Sequence, residues 1–291
     1  MKRVLVTGAN KGIGLAIVKA ILERDEDSFV YLGSRDEARG EAAREDLVSE
    51  NPAWAERVEV LPIDVSDDAS VRAAAHHVAN SGAGPLYGVV NNAGVGFGGS
   101  ELAEVLAVNT KGVRRVSEAF VPLLQREGGR VVNITSAAGP NFVNTCNADR
   151  RAWFTNPEVS RNDFDAFLED CLEADGAEAL AAMGLGSAEP YGLSKAAANL
   201  YTLQLARDNP TLRVNACTPG FIETDLTRPY AAGQGKSPAD MGMKPPSAGA
   251  RSPIHLLFGE LEGNGHYYGS DAVRSPLDRY RAPGDPPYEG D

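Results

Sequence analysis

The chain has 291 residues and carries 40 Asp and Glu against 28 Lys and Arg, a net charge of −12. That balance excludes the broad basic footprint of a nucleic-acid binder and disfavours anionic membranes, so any anionic ligand must be met by local donors. Hydrophobic residues make up 43% of the chain, no apolar run is long enough to span a bilayer, and three scattered cysteines form no CxxC pair; the expectation is one large α/β-sized domain in a reducing compartment, cytoplasmic or else a mature form whose targeting segment is absent.

Arg3 to Thr7 is a short β-branched run that predicts a buried strand. Ile13, Ala16, Ile17, Ala20 and Ile21 follow at helical spacing. Phe29 to Leu32 predicts a second strand and Asp36 to Ser49 a charged helix. Val58 to Leu61 predicts a third strand, Asp67 to Asn80 a helix, and Gly88 to Asn91 a fourth strand. Helical segments run to about Gln125, and Arg130 to Thr135 and Leu212 to Cys217 complete the strands read directly from the pattern. Strands separated by helices imply parallel crossovers and a doubly wound sheet. Ligands of such sheets bind beyond the carboxyl ends of the strands, so Thr7, Asn91, Ser136 and Thr218 to Gly220 are expected to converge. Residues 140 to 188, the Pro/Gly-rich stretch from 228 to 253, and the Pro-containing tail from Arg274 do not follow the alternation, and the tail is expected to be irregular.

Gly8, Gly12 and Gly14 follow the first strand and open the first helix. Glycines there permit a tight turn and close approach of backbone to a pyrophosphate, and the helix start supplies free N–H donors. Arg35, after the second strand, favours the 2′-phosphate of NADP over the free ribose of NAD, with Lys11 as a second cation and Asp36 as a competing ribose acceptor. Tyr191 and Lys195 are four residues apart and share one helix face. A free phenol titrates near 10, and a neighbouring ammonium is expected to lower that value enough for acid–base work. Ser136 supplies a hydroxyl that can fix a carbonyl, and Asn109 can hold a water that relays protons. The four histidines have no ligand spacing, so no metal is expected.

These motifs, in the order Thr7-Gly-Ala-Asn-Lys-Gly-Ile-Gly14, Asn91-Asn-Ala-Gly94, Asn109, Ser136, Tyr191-x-x-x-Lys195 and Pro219-Gly220, resemble the classical subfamily of short-chain dehydrogenases/reductases from Val4 to about Ser270. The resemblance implies a single Rossmann-fold domain over residues 1 to 270, with a mostly parallel seven-stranded sheet flanked by helices. It implies a catalytic tetrad of Asn109, Ser136, Tyr191 and Lys195, with Lys195 also on the nicotinamide ribose. Gly8, Asn10, Lys11, Gly12, Ile13 and Gly14 would hold the phosphates. Asp64 and Val65 would meet the adenine, Asn91, Ala93 and Gly94 would lie along the cofactor, and Pro219, Gly220, Ile222 and Thr224 would cover the nicotinamide.

Residues 137 to 190 lie where that family has only about a dozen, a gain of about forty. Within them Ser160-x-x-Asp163 resembles a capping box, and Phe164, Phe167, Leu168, Cys171 and Leu172 define one apolar helix face. A helix folded over the usual subunit contacts would block them. This insertion, with Thr218-Pro-Gly-Phe-Ile-Glu-Thr-Asp225, is similar to the monomeric carbonyl reductases. That likeness implies a monomer that reduces aldehydes and ketones with NADPH, with hydride from the pro-S face. Phe97, Ala137, Phe142, Phe221 and Tyr230 are expected to form a mainly apolar substrate pocket, with residues 228 to 247 as a substrate loop. Two other readings are an alcohol dehydrogenase running toward oxidation and a silent cofactor-binding scaffold; the intact tetrad argues against the second.

Overall fold

The computed structural model describes residues 1–97 and 100–290. Eight strands form one sheet: β1 (Lys2–Val6), β2 (Ser28–Ser34), β3 (Val58–Pro62), β4 (Gly88–Asn91), β5 (Arg130–Ile134), β6 (Arg213–Cys217), β7 (Tyr267–Tyr268) and β8 (Arg274–Ser275), in the order β3-β2-β1-β4-β5-β6-β7-β8. All neighbours pair parallel except β7 with β8. The strand order reverses between β1 and β4, which opens a crevice at the carboxyl ends of those strands. The sheet thus holds one strand more than expected. The extra one, β8, lies in the tail that was expected to be irregular, and at two residues it is too short to show a period.

Between the strands run α1 (Gly12–Arg24), α2 (Glu37–Glu50), α3 (Asp68–Asn80), α4 (Leu102–Asn109) and α5 (Lys111–Phe120). After β5 come α6 (Ala138–Thr145), α7 (Ala148–Phe154), α8 (Arg161–Glu173), α9 (Gly176–Ala182) and the long α10 (Pro190–Asp208). After β6 come α11 (Arg228–Gly233), α12 (Pro246–Gly249) and α13 (Arg251–Phe258), so the stretch from 228 to 253 is more ordered than its Pro and Gly content suggests. Successive side chains of a strand point to opposite faces. Val4, Val6, Val30, Leu32, Val90 and Val132 accordingly pack on one face with Ile17 and Ile21 of α1, Leu47 of α2 and Leu257 of α13. Leu5, Tyr31, Val89, Val131 and Val214 pack on the other with Val71 of α3, Val116 and Phe120 of α5, and Leu200 of α10.

The insertion continues this second core outward. Ser160 caps α8: its hydroxyl accepts from Asp163 N at 3.0 Å and donates to the Asp163 carboxylate at 2.7 Å. Phe164, Phe167, Leu168 and Cys171 are buried, whereas Leu172 is 39% exposed and lies off the packed face. Trp153 of α7 packs on Phe167, with ring centres 4.5 Å apart. Arg161 bridges Glu118 of α5 at 2.9 Å and Asp208 of α10 at 3.0 Å, Arg114 pairs with Asp165, and Gln204 of α10 donates to the Val159 carbonyl at 2.9 Å. The insertion therefore lies across both α5 and α10.

Candidate active site

The turn from β1 to α1 explains its own glycines. Gly8 has φ +62°, and a Cβ there would stand 2.9 Å from the Ala93 Cα; a Cβ on Gly14 would stand 2.4 Å from the Gly8 carbonyl. Either substitution pushes the loop off the sheet. Lys11, the N-cap of α1, makes no side-chain cap. Among the described residues no side chain caps the first N–H groups of α1, a donor set suited to a pyrophosphate. Asn10 sits half-buried on the same turn.

A second segment lies across this loop. A Cβ on Gly12 would meet the Thr224 methyl at 3.4 Å, and Ile13 and Ile222 both pack around Gly249. Lys11 Nζ pairs with Asp225 at 2.6 Å, which holds the Asp225 carboxyl below its usual range. Lys11 is thus engaged by an acid that sequence reasoning missed, although the Glu-Thr-Asp run was in view.

At the end of β2, the Asp36 carboxylate caps α2 by accepting from Arg39 N at 3.0 Å and lies 3.4 Å from the Arg39 guanidinium. Arg35 is 74% exposed and 4.0 Å from Asp64. Asp64 accepts from the Ser66 N–H at 2.9 Å and from its hydroxyl at 2.6 Å, while Val65 accepts from Arg115 at 2.6 Å. Asn91 departs from expectation. Its amide donates into the sheet, to Ser117 at 3.1 Å and Asn133 at 2.8 Å, and is 3% exposed. The reason is the pleat: Asn91 ends β4 on the face toward α5 and α10. Asn92 braces the loop instead, donating to the Thr7 and Gly8 carbonyls at 2.9 and 3.1 Å. Thr7 Oγ1 accepts from Asn92 N and Ala93 N at 3.0 and 3.1 Å.

Glu189 caps α10 by accepting from Tyr191 N at 2.9 Å and from Gly192 N, and Pro190 occupies the first turn. One turn on, Lys195 Nζ lies 5.6 Å from the centre of the Tyr191 ring and donates to the Ile134 carbonyl at 3.0 Å. Both residues are buried. A Cβ on Gly94 would stand 3.5 Å from Lys195 Nζ and 3.4 Å from Asn109 Oδ1. Gly94, Asn109, Lys195 and Tyr191 therefore share one place, with Ser136 beside the phenol. The charge tuning differs from expectation. Burial pushes the Tyr191 phenol up to about 12, the Ser136 hydroxyl draws it back, and Glu189 adds to the rise. Burial lowers Lys195 to about 8. Desolvation of each group thus outweighs their mutual effect. The Asn109 amide is held by Val95 and Ser194: Oδ1 accepts from Val95 N, and Nδ2 donates to Val95 O and Ser194 Oγ, all at 3.0 Å. Its side chain ties the loop at Val95 to α10, and Oδ1 keeps a second acceptor position.

On the open side of Tyr191, Phe97 lies edge-on at 5.3 Å, with Tyr230 at 5.3 Å and Phe221 at 6.4 Å from Phe97. Phe142 is not part of this cage. It is 4% exposed and packs against Phe154 inside the core, because α6 turns that side toward α7. Ala137, Pro219 and Gly220 line an adjoining cavity of about 480 Å³. Among the described residues no helix is long and apolar enough to cross a membrane.

A family model described as short chain dehydrogenase matches residues 2–148. Carbonyl reductase (NADPH) 3 of Mus musculus is 32% identical over 269 residues, covering 87% of this chain and 90% of that protein. The (+)-neomenthol dehydrogenase of Arabidopsis thaliana is 31% identical over 285 residues, with 87% and 90% covered. Among solved structures, salutaridine reductase from Papaver somniferum superposes with a TM-score of 0.75 at 25% identity, covering 92% of this chain and 99% of that one.

Proposed function

The chain belongs to the short chain dehydrogenase family of oxidoreductases, and we propose that it reduces aldehydes or ketones to alcohols with NADPH. The observation that carries this is the shared position of Tyr191, Lys195 and Ser136 beneath an aromatic cage. The uncapped start of α1, the glycine turn and the close approach of Gly94 to Lys195 fit a dinucleotide lying across the crevice. Bound there, such a cofactor supplies a hydride to the carbonyl carbon. Tyr191 gives its proton to the carbonyl oxygen as that charge develops, and the Ser136 hydroxyl orients the same oxygen. Lys195 places an ammonium beside the phenol and holds the ribose side of the site. A phenol that burial keeps protonated holds the proton that reduction consumes.

Exposed Arg35, at the end of β2, favours the 2′-phosphate of NADP. The relatives named for carbonyl reduction with NADPH support the same assignment. The test is NADPH consumption across aldehydes, diketones, quinones and aryl ketones. Tyr191→Phe is expected to lose at least about 100-fold in kcat/KM, the scale of one general acid. Wild-type turnover in that variant would refute the role.

A further inference from the structure

The cavity beside Ala137 has an unusual charge. It lies over the carboxyl ends of β6 and β7, on the half of the sheet away from Arg35. Its lining includes Lys244, Arg251, Arg279 and Arg281 and no Asp or Glu. In a chain with twelve more acids than bases, that is a local inversion of sign. Arg279 pairs with Asp278 and Arg281 with Asp271, whereas Lys244 and Arg251 make no ion pair among the described residues. Arg281 is 8% exposed, and its Nε is buried without a hydrogen-bond partner.

Phe221 joins the cavity to the reacting centre. It lines the cavity, and its ring is 6.4 Å from Phe97, which touches Tyr191. Ala137 lines it as well and directly follows Ser136. Thr218, Ser270 and Tyr267 add polar side chains to the wall.

We infer that this cavity receives a carboxylate carried by the carbonyl substrate, with Lys244 and Arg251 supplying the charge. This rests on the reading of the protein as a carbonyl reductase and narrows it to oxo acids. The carbonyl sits under the aromatic cage and the acid reaches past Phe221. A volume of about 480 Å³ accommodates an aryl or short alkyl acid.

The experiment compares para-acetylbenzoate with its methyl ester, and a longer oxo fatty acid with its ester, in NADPH-dependent turnover. Wild type is expected to favour each acid. In the double variant Lys244→Gln/Arg251→Gln the acid-to-ester ratio of kcat/KM should fall by about tenfold or more, the scale of charge-assisted recognition. A ratio unchanged within about twofold would overturn the inference. Calorimetric titration of both proteins with para-acetylbenzoate gives a readout independent of turnover. Binding that weakens by about tenfold in the double variant supports the subsite, and equal or absent binding rejects it. Wild type that turns over no carbonyl at all defeats the reductase reading, while the titration still decides the subsite.

Discussion

Lys195 Nζ stands 5.6 Å from the centre of the Tyr191 ring, and its hydrogen bond goes to the Ile134 carbonyl rather than to the phenol. Burial raises one group and lowers the other, so at neutral pH the pair is a protonated phenol beside a weakly held ammonium. Reduction is therefore expected to stay level up to about pH 8 and to fall above it as Lys195 loses its proton. A pH–rate profile of kcat/KM checks this. A fall that persists at the same pH in Lys195→Met, measured on its residual activity, would assign the titration elsewhere.

The same shift governs stability. Lys195 has a lower pKa folded, about 8, than its ordinary 10.5, so the unfolded chain binds the extra proton between those values. Its contribution therefore opposes folding below pH 8 and is relieved as pH rises to about 10.5. The full span is about 3 kcal/mol. Urea unfolding of wild type against Lys195→Met across this window should show the difference shrinking with rising pH.

Arg35→Ala is expected to cut the preference for NADPH over NADH by about tenfold or more, because a charge-assisted contact to phosphate is lost. Kinetics with both cofactors settle it. Equal ratios in variant and wild type would remove Arg35 from the site.

Lys11 and Asp225 are both 57% exposed, and such ion pairs contribute only about 0–1 kcal/mol. A dinucleotide phosphate competes with Asp225 for the same ammonium. Asp225→Asn should therefore tighten NADPH by up to about fivefold and steepen its salt dependence. Fluorescence titration at two ionic strengths measures both effects; weaker binding in the variant would show that the pair helps to hold the ligand.

Helix α8 covers α5 and α10 through Arg161, Arg114 and Gln204. Light scattering at micromolar concentration should return a monomer, and a stable tetramer would contradict the covering. Phe167→Ala removes a ring packed at 4.5 Å on Trp153 and 5.6 Å on Phe154, and should cost about 3–5 kcal/mol in urea unfolding.

Much of this architecture was legible because its signals are local. Valine-rich runs alternate faces, the glycine turn admits no Cβ at Gly8 or Gly14, and the Ser160 cap marks where α8 begins. What escaped depends on contacts between distant segments. Asn91 and Asn92 are equivalent in composition, and only the pleat decides that one enters the core while the other braces the loop. Phe142 reads as pocket or core until α7 is seen beside it. The tail looked structureless, yet Arg281 and Asp271 tie it down and β8 pairs with β7. Spacing on a helix conveys the proximity of Lys195 to Tyr191 but not the desolvation that dominates both groups.

The chain holds two tryptophans, and the sheet separates them: Trp54 belongs to the layer packed by α1 and α2, Trp153 to the layer continued by the insertion. Each indole is thus a native fluorescent reporter for one layer. Replacing either with phenylalanine yields a single-emitter protein, and coincident denaturation curves from the two would mean that both layers come apart as one cooperative unit.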